Sequence, residues 1–119
     1  MRINIYQIND LYREYAFMGT IMKDHCILEE NKRYPEKYIV PEEAYDLCGY
    51  IETKDTNESP EIYCENIFAA DQFGELELTE TYKDRRTLST SDIFEIVDDN
   101  NKKRAFFVDS IGYKEVMFV

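Results

Sequence analysis

Histidine is almost missing from this chain: His25 is the only one, and it stands beside Cys26. A general base poised near neutral pH, or an imidazole-rich metal site, therefore has one candidate, and no third member of a triad is visible around it. The ordinary reading of such a residue is a partly exposed ring next to a core thiol. Cysteine is also scarce, for Cys26, Cys48 and Cys64 are odd in number and form no Cys-x-x-Cys pair. Free buried thiols are expected, and no metal or cofactor, because a tetrahedral zinc site needs further ligands at fixed spacings. The four glycines stand singly at 19, 49, 74 and 112, which excludes the Gly-rich loops that cradle phosphates. No apolar run approaches the ~20 residues of a membrane-spanning helix. The opening MRINIYQIND alternates apolar and polar residues without the apolar stretch of a signal peptide, so a cytoplasmic protein is expected.

Positive charge is the remaining shortage. Fourteen Lys and Arg stand against 25 Asp and Glu, a formal net charge of −11. Phosphate backbones would be repelled and few cations are present to displace their counterions, so direct nucleic-acid binding is not expected. The same field suits a basic protein partner. What the chain does have is ample core material: 44% hydrophobic residues, with ten Tyr and seven Phe among 119 positions. One domain, spanning 1–119, is expected from that length.

Along the chain, the alternation of Arg2-Ile3-Asn4-Ile5 predicts a strand over 2–8. Asn9 can cap a helix carrying Leu11, Tyr15 and Met18 with Gly19 at its end, although Tyr15 to Gly19 also reads as a strand. Residues 29–37, with Pro35, read as a loop. Pro41-Glu42-Glu43 predicts a short helix that Gly49 ends. Ser59-Pro60 opens another, with Ile62, Tyr63, Ile67 and Phe68 as candidates for its buried stripe and an end near Asp71. Leu76 and Leu78, alternating with glutamates, suggest an edge strand. Ser89 or Thr90 caps a single turn before 93–97, which with 105–108 and 113–119 predicts a three-stranded antiparallel meander. The fold class expected is α+β: an N-terminal strand, two or three short helices, and the C-terminal meander in one small sheet.

No catalytic constellation emerges. Acid pairs such as Glu42-Glu43 and Asp98-Asp99 fall at a helix start and a hairpin tip, where capping and solubility explain them. The basic clusters Arg85-Arg86 and Lys102-Lys103-Arg104 read as solvated surface charge. The sharpest asymmetry is the window between Lys54 and Lys83, which holds Asp55, Glu58, Glu61, Glu65, Asp71, Glu75, Glu77 and Glu80 and no Lys or Arg. Its bland account is a solvated charge run. Its functional account is imitation of a nucleic-acid backbone inside a basic groove, through Glu58, Glu61, Glu65, Asp71, Glu75, Glu77 and Glu80.

Two further runs, Arg86-Thr87-Leu88-Ser89-Thr90-Ser91-Asp92-Ile93 and Phe107-Val108-Asp109-Ser110-Ile111-Gly112-Tyr113, resemble the "R-S-L-S-V-S-D-V" and "Y-V-D-S-x-G-F" elements of the YodL-like domain family. Ile5-Tyr6-Gln7, Phe17-Met18-Gly19 and Tyr45 ahead of Gly49 are similar to its N-terminal pattern. The middle, roughly 52–84, departs from the pattern and is where the acids concentrate; Tyr113 replaces the usual Phe. The resemblance implies a protein of a conjugative or integrative element of Gram-positive bacteria. By that context the chain is expected to be a non-enzymatic inhibitor, of anti-CRISPR or antirestriction type, binding the basic nucleic-acid groove of a host defence nuclease such as a Cas9-type effector. The alternatives are a protein-interaction module of such elements that acts through a sheet edge or aromatic patch, without charge mimicry, and a small metal-dependent nuclease. The Ser-x-Ser-Asp and Asp-Ser-x-Gly elements read as structural, since these side chains cap backbone groups at turns.

Overall fold

The computed structural model describes residues 1–10, 38–40, 42–109 and 111–118. Strand β1 (Arg2–Ile8) forms where the alternation predicts it, with Ile3 and Ile5 buried on one face and Ile8 on the other. It lies inside the sheet, pairing antiparallel with β3 (Tyr45–Glu52) on one side and with β5 (Ile93–Val97) on the other. From β5 the sheet continues antiparallel through β6 (Lys103–Val108) to β7 (Tyr113–Phe118), and β2 (Tyr38–Val40) adds to β7 in parallel. The two-residue β4 (Glu80–Thr81) closes the far edge against β3. The order across this one sheet is β2-β7-β6-β5-β1-β3-β4.

A single helix among the described residues, α1 (Pro60–Gln72), packs on one face of the sheet. Its Cys64 and Ile67 meet Ile3, Ile5, Phe94, Ile96, Phe106 and Val108, with Leu88 completing the layer. The opposite face gathers Ile8, Val40, Ala44, Tyr45, Ile93, Ala105, Phe107 and Val116 into a second cluster. Phe94 and Phe107, one on each face, are fully buried. Every strand from β1 to β7 that reaches the middle of the sheet therefore contributes to two cores, which is why β5 shows an almost unbroken buried run.

The expected α+β arrangement of two or three helices beside one small sheet is not what forms. Glu42–Ala44 make one 3₁₀ turn, and the chain then enters β3 where a helix up to Gly49 was expected. The reason is pairing: each residue of 45–47 and 49–52 finds a partner on β1, and Tyr45 and Cys48 are buried by it. The pairing carries a register shift between Ile5 and Tyr6, a bulge that breaks the period-two pattern of β3. Leu76 and Leu78 are not in a strand either; they lie in a loop and pack against the helix-side core. Ser59 makes no side-chain capping bond to α1; the loop before the helix is held instead by Tyr63, whose hydroxyl accepts from the Thr56 amide at 2.8 Å and donates to Asp55 at 3.2 Å. The meander and the 60–72 helix appear where expected, but Ile62, expected in the buried stripe of that helix, is exposed, and Cys64 is buried with Ile67 instead. The expected helix after Asn9, the 29–37 loop, His25, Cys26 and Pro41 lie outside the described residues.

Gly49 has a steric role. A Cβ there would run into the Glu80 carbonyl oxygen and come within 2.9 Å of Leu78 Cδ1, so only glycine lets β4 and its approach loop close on β3. Gly49→Ala should destabilise the fold by roughly 1–3 kcal/mol, the usual cost of forcing extra volume into a packed site. Urea denaturation monitored by circular dichroism measures this; an unchanged midpoint would mean that β4 can yield freely.

Candidate functional site

The seven acids singled out by sequence do not share one surface. Glu61 and Glu65 lie one turn apart on the same flank of α1, and Glu58 stands just before the helix; all three are exposed. That flank leans toward the β6–β7 side, since the Tyr113 hydroxyl donates to Glu65 Oε2 at 3.1 Å and Glu61 acts on the Arg104 guanidinium. Glu75 and Glu77, also exposed, belong to the loop running beside β3, where the Thr79 amide donates to the Tyr50 carbonyl and its hydroxyl accepts from the Glu52 amide. Glu80 pairs with Tyr50, and Tyr50 with Asn4, whose side chain bonds Glu95. Paired residues point the same way, so Glu80 faces the side opposite α1, with Arg2 stacked 3.7 Å from the Tyr50 ring nearby. The β7 and β3 backbones are four strand spacings apart, about 19 Å, which separates the helix acids from the β3–β4 edge.

Asp71 is not available at all. One carboxylate oxygen receives Arg85 Nη1 at 2.7 Å and the other the Leu88 amide at 2.7 Å, with the side chain only 7% exposed. The other described Lys and Arg in ion pairs are held by acids outside the seven: Arg2 by Glu52, Lys83 by Asp46, Arg104 by Glu115 and Lys114 by Asp109. Glu58 shares a small recess with Lys102 and Arg104 but is in ion-pair contact with neither. Among the described residues, Glu58, Glu61, Glu65, Glu75, Glu77 and Glu80 therefore make no ion pair.

The helix end is held firmly. The Glu75 amide donates to the Ala70 carbonyl at 2.8 Å and the Gly74 amide to Asp71 at 3.0 Å, with Gly74 at φ 71°. This is the paired closure that a left-handed glycine makes after a helix. It leaves Phe73 79% exposed, on the side away from the sheet.

A second polar cluster, missed at the sequence level, knots the irregular segment before β5 onto β1. Gln7 is buried; its Nε2 donates to the Arg86 carbonyl at 3.0 Å and to Asp92 Oδ2 at 3.1 Å, while its Oε1 accepts from the Arg86 amide at 2.8 Å. Arg86 Nη2 donates to the Ile8 carbonyl at 2.6 Å. Asp92 Oδ2 also accepts from the Ser89 amide at 2.9 Å, so the carboxylate caps the serine, the reverse of the expected serine cap. Tyr45 donates its hydroxyl to the Ser91 carbonyl at 2.8 Å, and Ser91 sits at φ 81° with its Oγ buried and unpartnered. Loss of water by burial drives the Asp92 carboxyl up to about 7; its bonds from Ser89 and Gln7 and the Arg86 charge pull the other way. Burial also pushes the Cys48 and Cys64 thiols up, the latter to about 12, so both are poor nucleophiles.

Arg86, Ser89 and Asp92 are the very residues of the first signature run, and the Asp109 amide donating to the Gly112 carbonyl at 3.0 Å closes the turn of the second. The match is not confined to them: it extends over residues 3–118. The chain belongs to the YodL-like domain family. No curated protein and no solved structure matches it. In this YodL-like domain the signature residues serve the fold, fastening a coil segment to the sheet. Among the described residues no group of three His, Cys, Asp or Glu could hold a metal ion, and no helix is long and apolar enough to cross a membrane. A recess of about 770 Å³ between Arg2, Asn4, Glu52, Lys54, Asp98 and Lys103 has walls of mixed charge and contains neither a cysteine nor a histidine.

The Asp92 environment gives a pH signature. A carboxyl at about 7 in the fold and 3.8 in the unfolded chain binds its proton more tightly when folded. Its contribution is thus fully present below pH 4 and is lost as pH rises to 7, a fall of order 4 kcal/mol at about 1.4 kcal/mol per pH unit. Asp92→Asn, whose carbonyl oxygen can keep the bonds from Gln7 and Ser89, should flatten stability between pH 4 and 7 relative to the parent. Equal pH slopes in urea titrations of the two proteins would show that Asp92 is not the group responsible.

Proposed function

We propose that this YodL-like domain is a non-enzymatic interaction protein that presents the acidic flank of α1 to a basic groove on another protein. The observation that carries this reading is the distribution of ion pairs: every paired cation among the described residues is held by an acid other than Glu58, Glu61 and Glu65, and α1 itself carries no Lys or Arg. A surface of that kind attracts a basic site from a distance and loses affinity steeply with salt. Grooves that hold nucleic acids are the commonest large basic surfaces, and those of RNA-guided nucleases are lined for a phosphate backbone. A host defence nuclease, Cas9-type effectors included, is therefore the partner class proposed, with the chain acting on behalf of a mobile genetic element. Glu75 and Glu77 would supply a separate contact beside β3; Asp71 and Glu80 would supply none.

A second reading, a protein-interaction module without charge mimicry, is favoured by one observation, the exposure of Phe73 and of Ile62 (45%) on the helix.

Increasing amounts of the protein should slow target-DNA cleavage by a purified, guide-loaded Cas9-type nuclease. The Glu58→Lys, Glu61→Lys, Glu65→Lys triple variant, all at exposed positions, should fold normally and lose at least roughly tenfold in potency, as expected when facing charges are reversed. Equal potency of parent and variant would remove the charge reading, and absence of any effect of the parent would remove the nuclease.

A further inference from the structure

We infer that the outward side of α1 is a docking ledge for a basic amphipathic helix of the partner protein, a reading that rests on the proposal that the partner is basic. Helical residues advance about 100° each, so Ile62, Asn66, Ala69 and Phe73, spaced by four, three and four, fall within an arc of about 60°. The arc points away from the sheet, because the buried Cys64 and Ile67 lie on the other side. Ile62 and Phe73 are the exposed large apolar residues of the helix and its cap, 45% and 79% open. They stand about 16 Å apart along the axis, three turns of helix. Glu61 and Glu65 run beside the arc on one flank, with Glu58 ahead of it and Glu75 behind.

Two apolar anchors at the ends of a stripe, bordered by acids, match a partner helix that carries apolar residues at the same spacing between Lys and Arg. Charge rules out the other occupants. A second copy of this chain would bring Glu58, Glu61 and Glu65 against the same residues with no cation on either helix, and nucleic acid or an anionic membrane would be repelled likewise. Asn66, exposed and between the two anchors along the helix axis, can donate and accept, so a polar partner residue opposite it is tolerated. The closure around Gly74 holds Phe73 in place before any partner arrives, which lowers the ordering cost of binding.

The probe is a fluorescein-labelled synthetic peptide of about 18 residues, with leucines spaced by four, three and four and lysines at the flanking positions. Fluorescence anisotropy against the full chain should show saturable binding. A peptide of the same composition in scrambled order should bind at least roughly tenfold more weakly, the loss expected when anchor residues no longer seat. Phe73→Ala and Ile62→Ala, both at exposed sites and expected to leave the melting temperature unchanged, should each weaken the ordered peptide by a similar factor and leave the scrambled one unaffected. Glu61→Lys with Glu65→Lys should weaken both peptides and remove the salt dependence. Equal binding of the two peptides would overturn the ledge while leaving the charge reading intact. Failure of both peptides to bind would overturn the two together, and indifference to Phe73→Ala would overturn the ledge alone.

Discussion

The contact on which the arrangement depends is the carboxylate of Asp71, which holds Arg85 with one oxygen and the Leu88 amide with the other. It ties the C-terminal half of α1 to the coil segment that precedes β5, and Gln7 and Asp92 tie that segment in turn to β1. The ion pair is mostly withdrawn from water, so removing either partner would strand a charge, a loss typically of a few kcal/mol. Its consequence reaches the surface. Arg85 is consumed at the inner side of the helix and Arg104 is held by Glu115, so Glu58, Glu61 and Glu65 are left without an ion-pair partner among the described residues.

That division of labour explains why the family signature and the acidic window do different things. In the signature run, Gln7 satisfies both backbone groups of Arg86 and the Asp92 carboxylate satisfies the Ser89 amide, in a coil that has no ladder of its own, a requirement any buried irregular segment must meet. The acids of 58–77 satisfy nothing in the fold apart from Asp71 and the Glu65–Tyr113 contact. Groups that the fold does not need are the natural material for recognition.

Much of the fold could be read from residue order, and the parts that could not have identifiable causes. β1, α1 and the meander follow from local patterning: alternation in Arg2–Ile8, a Ser-Pro start with Ile67 in register, and apolar runs separated by polar turns. β3 was hidden because Pro41-Glu42-Glu43 imitates a helix start, and because the bulge opposite Ile5 disrupts its alternation. Leu76 and Leu78 alternate like a strand yet serve as plugs under a loop, a distinction only tertiary packing makes. For the candidate site, exposure was readable from charge at every acid but Asp71, whereas placement was not. Between Gln72 and Glu80 the chain passes from the helix to the edge strand β4, whose register turns Glu80 to the face opposite α1. Gln7 and Asp92 carried no periodic signal, since a buried polar knot is defined by partners that lie about 80 residues apart in the chain.

What remains is a helix whose inner side is committed to the sheet and whose outer side combines unpaired acids with two bare apolar groups. The most direct test of that view is carbodiimide labelling of carboxylates, read residue by residue by mass spectrometry, with and without the Cas9-type nuclease bound. Glu58, Glu61 and Glu65 should lose labelling in the complex while Glu52 and Glu80, on the other face, keep theirs. Protection centred on Glu52 and Glu80, with the helix acids still reacting freely, would contradict the account.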